Sequence, residues 1–216
     1  MAEEKLEIFY IRHAETNPSV LESSSTCDVG LSETGEKQLI LLGERFAGKT
    51  FDAVFSSPLV RAVKTAAAVL NRLDDPPLLE IMPEIIENGS LQGFAGIDMD
   101  ILKKHYGNIK LCPDKVCKNG FRDLEDEDND ARAREVIAYL KSRFTYGQRV
   151  AVFAHGSFGN HFIPAAVEMG AGNYILSINN TSVTKIKYTP DGKQRISFMN
   201  DFSHLRPLMP DYEFTV

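Results

Sequence analysis

Four side chains, each beside the end of an apolar run, have the types and placement to hold an anion. "FYIRHAET" (9–16) closes one run with Arg12 and His13 side by side, "RVAVFAHGS" (149–157) closes a second at His155, and "SSPLVRAVKTA" (56–66) carries Arg61 just past a third. Arg61 falls in the first turn of a helical pattern, where the helix dipole disfavours a cation, so it calls for a counter-anion. Arg12 and Arg61 together can clamp one tetrahedral dianion through forked, charge-assisted hydrogen bonds, and helix N–H groups add to such a grip. Phosphate is the natural occupant. A lone His13 or His155 reads more often as a satisfied core histidine, and a lone Arg61 as a surface or ion-paired arginine. Core packing does not require all four at one edge. His105, His161 and His204 show no such placement and read as structural.

The elements that must position these groups alternate along the chain. Strand-like runs cover 6–11, 51–57, 149–154, 181–188 and 195–200. Helical patterns lie between them. Segment 32–47 has Ser32 as its N-cap and Leu39, Leu42 and Phe46 on one face; 58–73 follows a capping Ser57 with Pro58 at the first helical position and a stripe of Val63, Ala66, Leu70 and Leu73. A third, roughly 130–145, carries Val136, Leu140 and Phe144 at helical spacing. Strands separated by single helices predict an α/β fold, a single domain over 1–216 with a mostly parallel central sheet and helices on both faces. The first three strands suit its interior. In open sheets of this kind ligands bind beyond the carboxyl ends of the strands, which is where both histidines and both arginines fall. Residues 74–128 break the rhythm and read either as a substrate-facing insertion or as a surface excursion that closes the fold. Their acidic run "DLEDEDND", which continues to 130, reads as a solvated lead into a helix.

Composition narrows the function class. A net charge of −6 over 216 residues argues against non-specific nucleic-acid binding, so an anion site must be built locally. At 43% hydrophobic residues the chain can bury a core. "MAEEKLE" contains no apolar stretch of signal-peptide length, and no segment approaches the roughly 20 apolar residues that span a bilayer. A cytoplasmic protein with no membrane partner is the expectation. Cys27, Cys112 and Cys117 read as reduced thiols, and the last two lack the companions of a zinc site.

With these motifs in their order, the chain resembles the histidine phosphatase superfamily, also called the phosphoglycerate-mutase-like family. "IRHAET" is similar to its Arg-His-Gly-Glu-Thr signature, "LSETGEKQ" to its Leu-Thr-x-x-Gly-x-x-Gln segment, "SSPLVRAVKTA" to its third motif almost verbatim, "FAHGS" to its second-histidine motif and "NDFSHL" to its C-terminal one. The resemblance covers most of residues 6–205. It implies that His13 is the nucleophile that forms a phosphohistidine, and that Arg12, Arg61 and His155 hold the equatorial phosphoryl oxygens. It implies no metal and no cofactor. A leaving alkoxide also needs a proton, which family members take from a carboxylic acid in the segment after the third strand. Many have a glutamate four residues before a glycine there; counting back from Gly89 in "PEIIENGSLQG" reaches Ile85. Glu84 and Glu87 remain. Glu87, two residues before Gly89, resembles the arrangement in the subgroup of suppressor-of-T-cell-receptor-signalling phosphatases and fungal relatives, and is favoured over Glu84. A reading of both as loop surface charges also stands.

Other departures bear on the reaction. Ala14 replaces the usual glycine after the histidine, which leaves the backbone able to approach phosphate if its φ is negative. The arginine expected after the second histidine is missing, since 160 and 161 are Asn160 and His161. A mutase handling a doubly phosphorylated intermediate needs extra arginines, whereas 95–120 offers Lys103, Lys104, Lys110, Lys115 and Lys118, which attract an anion but cannot fork onto it. The expected function is therefore a metal-independent phosphomonoester hydrolase with a phosphohistidine intermediate, acting on a phosphorylated small molecule or phosphopeptide. The alternatives are a phosphoglycerate-type mutase and a catalytically weak phosphate-binding or scaffold protein. Selectivity is expected from 17–30 and 90–125.

Overall fold

The structure, a computed structural model, describes residues 6–17, 29–88, 96–112, 129–169 and 175–209. In chain order it runs β1 (Leu6–Arg12), α1 (Glu33–Phe46), β2 (Ala53–Ser56), α2 (Val60–Leu70), β3 (Leu79–Ile81), a 3-10 turn (Pro83–Ile85) and α3 (Met99–Lys103). It continues with β4 (Ile109–Leu111), α4 (Asn129–Arg143), β5 (Arg149–Ala154), α5 (Gly156–Ala166), β6 (Val183–Tyr188), β7 (Gln194–Asp201) and a second 3-10 turn (Ser203–Leu208). One sheet takes all seven strands in the order β4-β3-β2-β5-β1-β6-β7. Strands β1 to β5 pair in parallel, while β6 runs antiparallel to β1 and β7 antiparallel to β6. The fold is thus a single α/β domain on a mostly parallel sheet.

Each face of the sheet is covered because the strands are apolar on both sides. On one face Tyr10, Phe55 and Val152 pack with Val136 and Leu140 of α4 and Phe158 and Phe162 of α5. On the other, Ile11, Val54 and Phe153 meet Leu42 and Phe46 of α1 and Val63, Ala66 and Leu70 of α2. Leu42 is wholly buried; truncating such a leucine to alanine costs about 2–5 kcal/mol.

Two boundaries differ from expectation for a local reason. Ser57 is not the cap of α2: the helix begins at Val60 behind Leu59, whose N–H reaches the Ser57 hydroxyl at a long 3.4 Å. That hydroxyl is engaged by His155 at 2.7 Å. Helix α5 starts at Gly156, where the sequence places the helix opening at Ser157, and has His155 as its extended N-cap. The stretch 74–128 contributes β3 and β4 to the sheet edge, three residues each and too short to show a period. Residues 89–95 and 113–128 of that stretch, with Gly89, Lys115, Lys118, Cys117 and most of the acidic run, lie outside the described residues, as do 18–28 with Cys27. Among the described residues no helix is long and apolar enough to cross a membrane.

Candidate active site

Parallel register brings the two histidines together. Arg12 of β1 pairs with Ala154 of β5, and Ser56 of β2 with Phe153, so the three strands end at one level. The His13 N–H then donates to the Ala154 carbonyl at 2.9 Å and the Ser57 N–H to the Phe153 carbonyl at 2.9 Å. His13 and His155 leave the sheet as neighbours, with ring centres 5.1 Å apart.

The His13 tautomer follows from its partner. Its Nδ1 lies 2.7 Å from the Ala14 carbonyl, which can only accept, so Nδ1 carries the hydrogen and Nε2 keeps a lone pair. Burial first, then the charges of Arg61 and Arg12, lowers the His13 pKa to about 3 against the supporting bond to Ala14. The ring is therefore neutral at physiological pH. Burial and Arg61 also hold His155 well below the usual histidine range. Its backbone is locked by Tyr10, whose hydroxyl donates to the His155 carbonyl at 2.6 Å and accepts its N–H at 3.2 Å.

The arginines close the cluster. Arg12 Nη1 donates to the Ile178 carbonyl at 2.5 Å, and its guanidinium lies so near Gly156 that a Cβ there would stand 3.3 Å from Nε and Cζ. Arg61 is buried in the first turn of α2. Thr65 donates its hydroxyl hydrogen to the Arg61 carbonyl at 2.7 Å and accepts the Ala14 N–H at 3.0 Å, tying that turn to the residue after His13. Ala14 does not have the positive φ that would demand glycine. Two nitrogens of the cluster, Arg12 Nε and His155 Nδ1, are buried without a hydrogen-bond partner among the described residues. A buried donor such as the Arg12 Nε–H is costly to leave unmet, and an anionic oxygen can satisfy it.

Glu87 joins this cluster. The Glu87 carboxylate accepts the N–H of Phe158 at 2.8 Å and of Ser157 at 3.2 Å, at the start of α5 beside His155. Its charge acts on Arg12. Glu84 is buried at 4% exposure within the 3-10 turn. Asn160 holds Leu176 through both its amide groups, and His161 pairs with Asp130 at 2.6 Å. His204 contacts Arg45 and Thr181, each at 3.1 Å.

Sequence reasoning missed several supports. Glu15, next to Ala14, receives the Ser32 hydroxyl at 2.7 Å, and its N–H donates to Gln38 at 2.9 Å. Gly35 permits that approach, since a Cβ there would meet the Glu15 carbonyl oxygen at 2.1 Å. "LSETGEKQ" thus steadies the loop behind His13. From the other side Asn180 Nδ2 donates to the His13 carbonyl at 2.9 Å, and Thr181, at a strained φ of 54°, donates its N–H to the carbonyls of Arg12 and His13. "NNTS" before β6 was the available signal: asparagines favour tight turns. Arg132 gave none, lying among charged neighbours in "NDARARE".

The family model of the histidine phosphatase superfamily (branch 1) matches residues 8–201. A phosphoglycerate mutase of Schizosaccharomyces pombe is 30% identical over 139 residues, 60% of this chain and 64% of that protein, so the chain spans just under two thirds of it. A protein of the same yeast described as a probable phosphatase is 25% identical over 223 residues, 93% of this chain and 95% of that one. Among solved structures, a mycobacterial glucosyl-3-phosphoglycerate phosphatase in complex with VO3 superposes with a TM-score of 0.62 at 20% identity, covering 90% of this chain and 98% of that one.

Proposed function

The chain belongs to the histidine phosphatase superfamily, and from that premise we propose that it hydrolyses phosphomonoesters without a metal, through a phosphohistidine on His13. The observation that carries this reading is the His13 ring: buried beside two guanidinium groups, neutral, with its hydrogen fixed on Nδ1 by Ala14 and its lone pair on Nε2. Such an imidazole is a nucleophile at neutral pH.

The substrate phosphoryl group binds between Arg12 and Arg61, whose charge offsets that of the equatorial oxygens. His155 Nε2 lies 2.7 Å from the Ser57 hydroxyl; with that hydroxyl donating to Nε2 in this reading, the ring hydrogen sits on Nδ1 and serves a third phosphoryl oxygen. In the first step Nε2 of His13 attacks phosphorus, the P–O bond to the alcohol breaks, and the leaving oxygen takes the proton of the Glu87 carboxylic acid. In the second, water attacks phosphorus, gives its proton to the Glu87 carboxylate, and the P–N bond returns its electron pair to His13. Inorganic phosphate leaves.

Hydrolysis is preferred over isomerisation on the insertion's cations. Lys103 pairs with Asp100 at 3.5 Å and Lys110 with Glu80 at 3.5 Å, so two of the described lysines are already committed to carboxylates. One assay distinguishes the readings. Purified protein should hydrolyse p-nitrophenyl phosphate and a range of phosphorylated metabolites and phosphopeptides, ranked by kcat/KM. Conversion of 3-phosphoglycerate only with a bisphosphate primer would instead identify a mutase. Vanadate binding without turnover would identify a phosphate-binding protein.

A further inference from the structure

A buried arginine outside the phosphate cluster grips the segment that carries Glu87. Arg132 of α4 is 2% exposed. Its Nη1 donates to the carbonyls of Glu84 at 3.1 Å and Ile86 at 3.0 Å. Its Nη2 donates to the side-chain oxygens of Asn88 at 2.6 Å and Asn129 at 2.7 Å. Both sequence neighbours of Glu87 are thus held by one guanidinium. The same group lies 4.6 Å over the ring of Phe158, whose N–H is the shorter of the two donors from α5 to Glu87.

Taking an arginine out of water is expensive, and α4 already has Val136, Ile137 and Leu140 to bury. The planar guanidinium can serve two carbonyls and two amide oxygens at once, which an ammonium cannot. We infer that Arg132 is a positioning residue: it sets the Glu87 carboxyl against the leaving oxygen from both flanks of "IEN" and from beneath Phe158, without itself meeting the substrate. This rests on Glu87 as the acid.

The test compares Glu87→Gln, Arg132→Met and the double variant on two esters. Glycerol 2-phosphate releases an alkoxide that needs a proton; p-nitrophenyl phosphate releases a phenolate that does not. Glu87→Gln should slow the alkyl ester roughly 10²–10⁴-fold, with a clearly smaller loss on the aryl ester. Arg132→Met should slow the alkyl ester about 10- to 100-fold while the aryl ester stays within about threefold, and should add nothing further to Glu87→Gln. Equal losses on both esters, or additive losses in the double variant, would overturn the positioning role. Selectivity in Glu87→Gln but not in Arg132→Met defeats this inference alone; no selectivity in Glu87→Gln defeats the acid assignment and this inference with it. If Arg132→Met does not fold, Asn88→Ala decides, since it removes a single contact of the guanidinium: a selective loss on the alkyl ester supports the role, and its absence overturns it.

Discussion

The imidazoles of His13 and His155 face each other at 5.1 Å between ring centres, tilted by 58°. Their backbones are successors of the paired Arg12 and Ala154, so the sheet register itself sets this separation. Two buried imidazolium ions at that distance, beside Arg12 and Arg61, would repel strongly. Both rings are instead held neutral, His13 with its pKa near 3 and His155 well below its ordinary value. Their partners divide the roles: Ala14 leaves His13 a bare Nε2, and Ser57 occupies Nε2 of His155.

Replacing His13 with alanine should abolish turnover by several orders of magnitude, because the bond to phosphorus forms at this ring. Phosphate should still bind, since both arginines remain. The wild-type protein, incubated with a phosphorylated substrate, should acquire an acid-labile, base-stable label that the variant lacks. A variant with more than about a tenth of wild-type activity would contradict the assignment.

Arg61→Lys should be far from neutral. An ammonium cannot reproduce a forked contact, and a loss of about 10²-fold in kcat/KM is expected. Since the arginines supply the positive charge, EDTA should leave wild-type activity intact, and vanadate should inhibit at low concentration by imitating the trigonal-bipyramidal transition state. Strict dependence on added magnesium would refute this division of labour.

Gly156→Ala separates site geometry from stability. The new Cβ would stand 3.3 Å from Nε and Cζ of Arg12, so the guanidinium must shift by a few tenths of an ångström. Position 156 opens α5, where alanine is the better helix former. The melting temperature should therefore hold or rise while kcat/KM falls about tenfold, as small misplacements at a transfer site are costly. Unchanged kinetics would show that Arg12 tolerates the shift.

Neutral burial of the histidines also sets an acid limit. A free histidine has a pKa of about 6.5, and the folded His13 value is near 3. Between these values the unfolded chain binds a proton that the native state refuses, so this contribution to stability is intact above pH 6.5 and declines as pH falls toward 3. Denaturant unfolding between pH 6.5 and 5 should show stability falling with acid. In His13→Asn the slope should be shallower by up to about 1.4 kcal/mol per pH unit. An identical slope would mean that His13 is protonated in the native protein.

The sequence alone determined what each segment would do locally. Apolar runs ending at His13 and His155, Arg61 in a first helical turn, and the buried faces of Leu39, Leu42 and Phe46 or Val63, Ala66 and Leu70 are all written in short-range order, because burial period and helix-start signals act over a few residues. Tertiary structure decided the partners. That β5 enters between β1 and β2, that the Ser57 hydroxyl serves His155 from 98 residues away rather than capping α2, and that the Glu87 carboxylate meets α5 70 residues further on all depend on pairing across the sheet. Arg132 shows the same limit most clearly. Its neighbours Asp130, Arg134 and Glu135 are exposed. It is buried because carbonyls exposed by the turn at Glu84 and Ile86 need donors, and no local pattern records a need that arises 46 residues upstream.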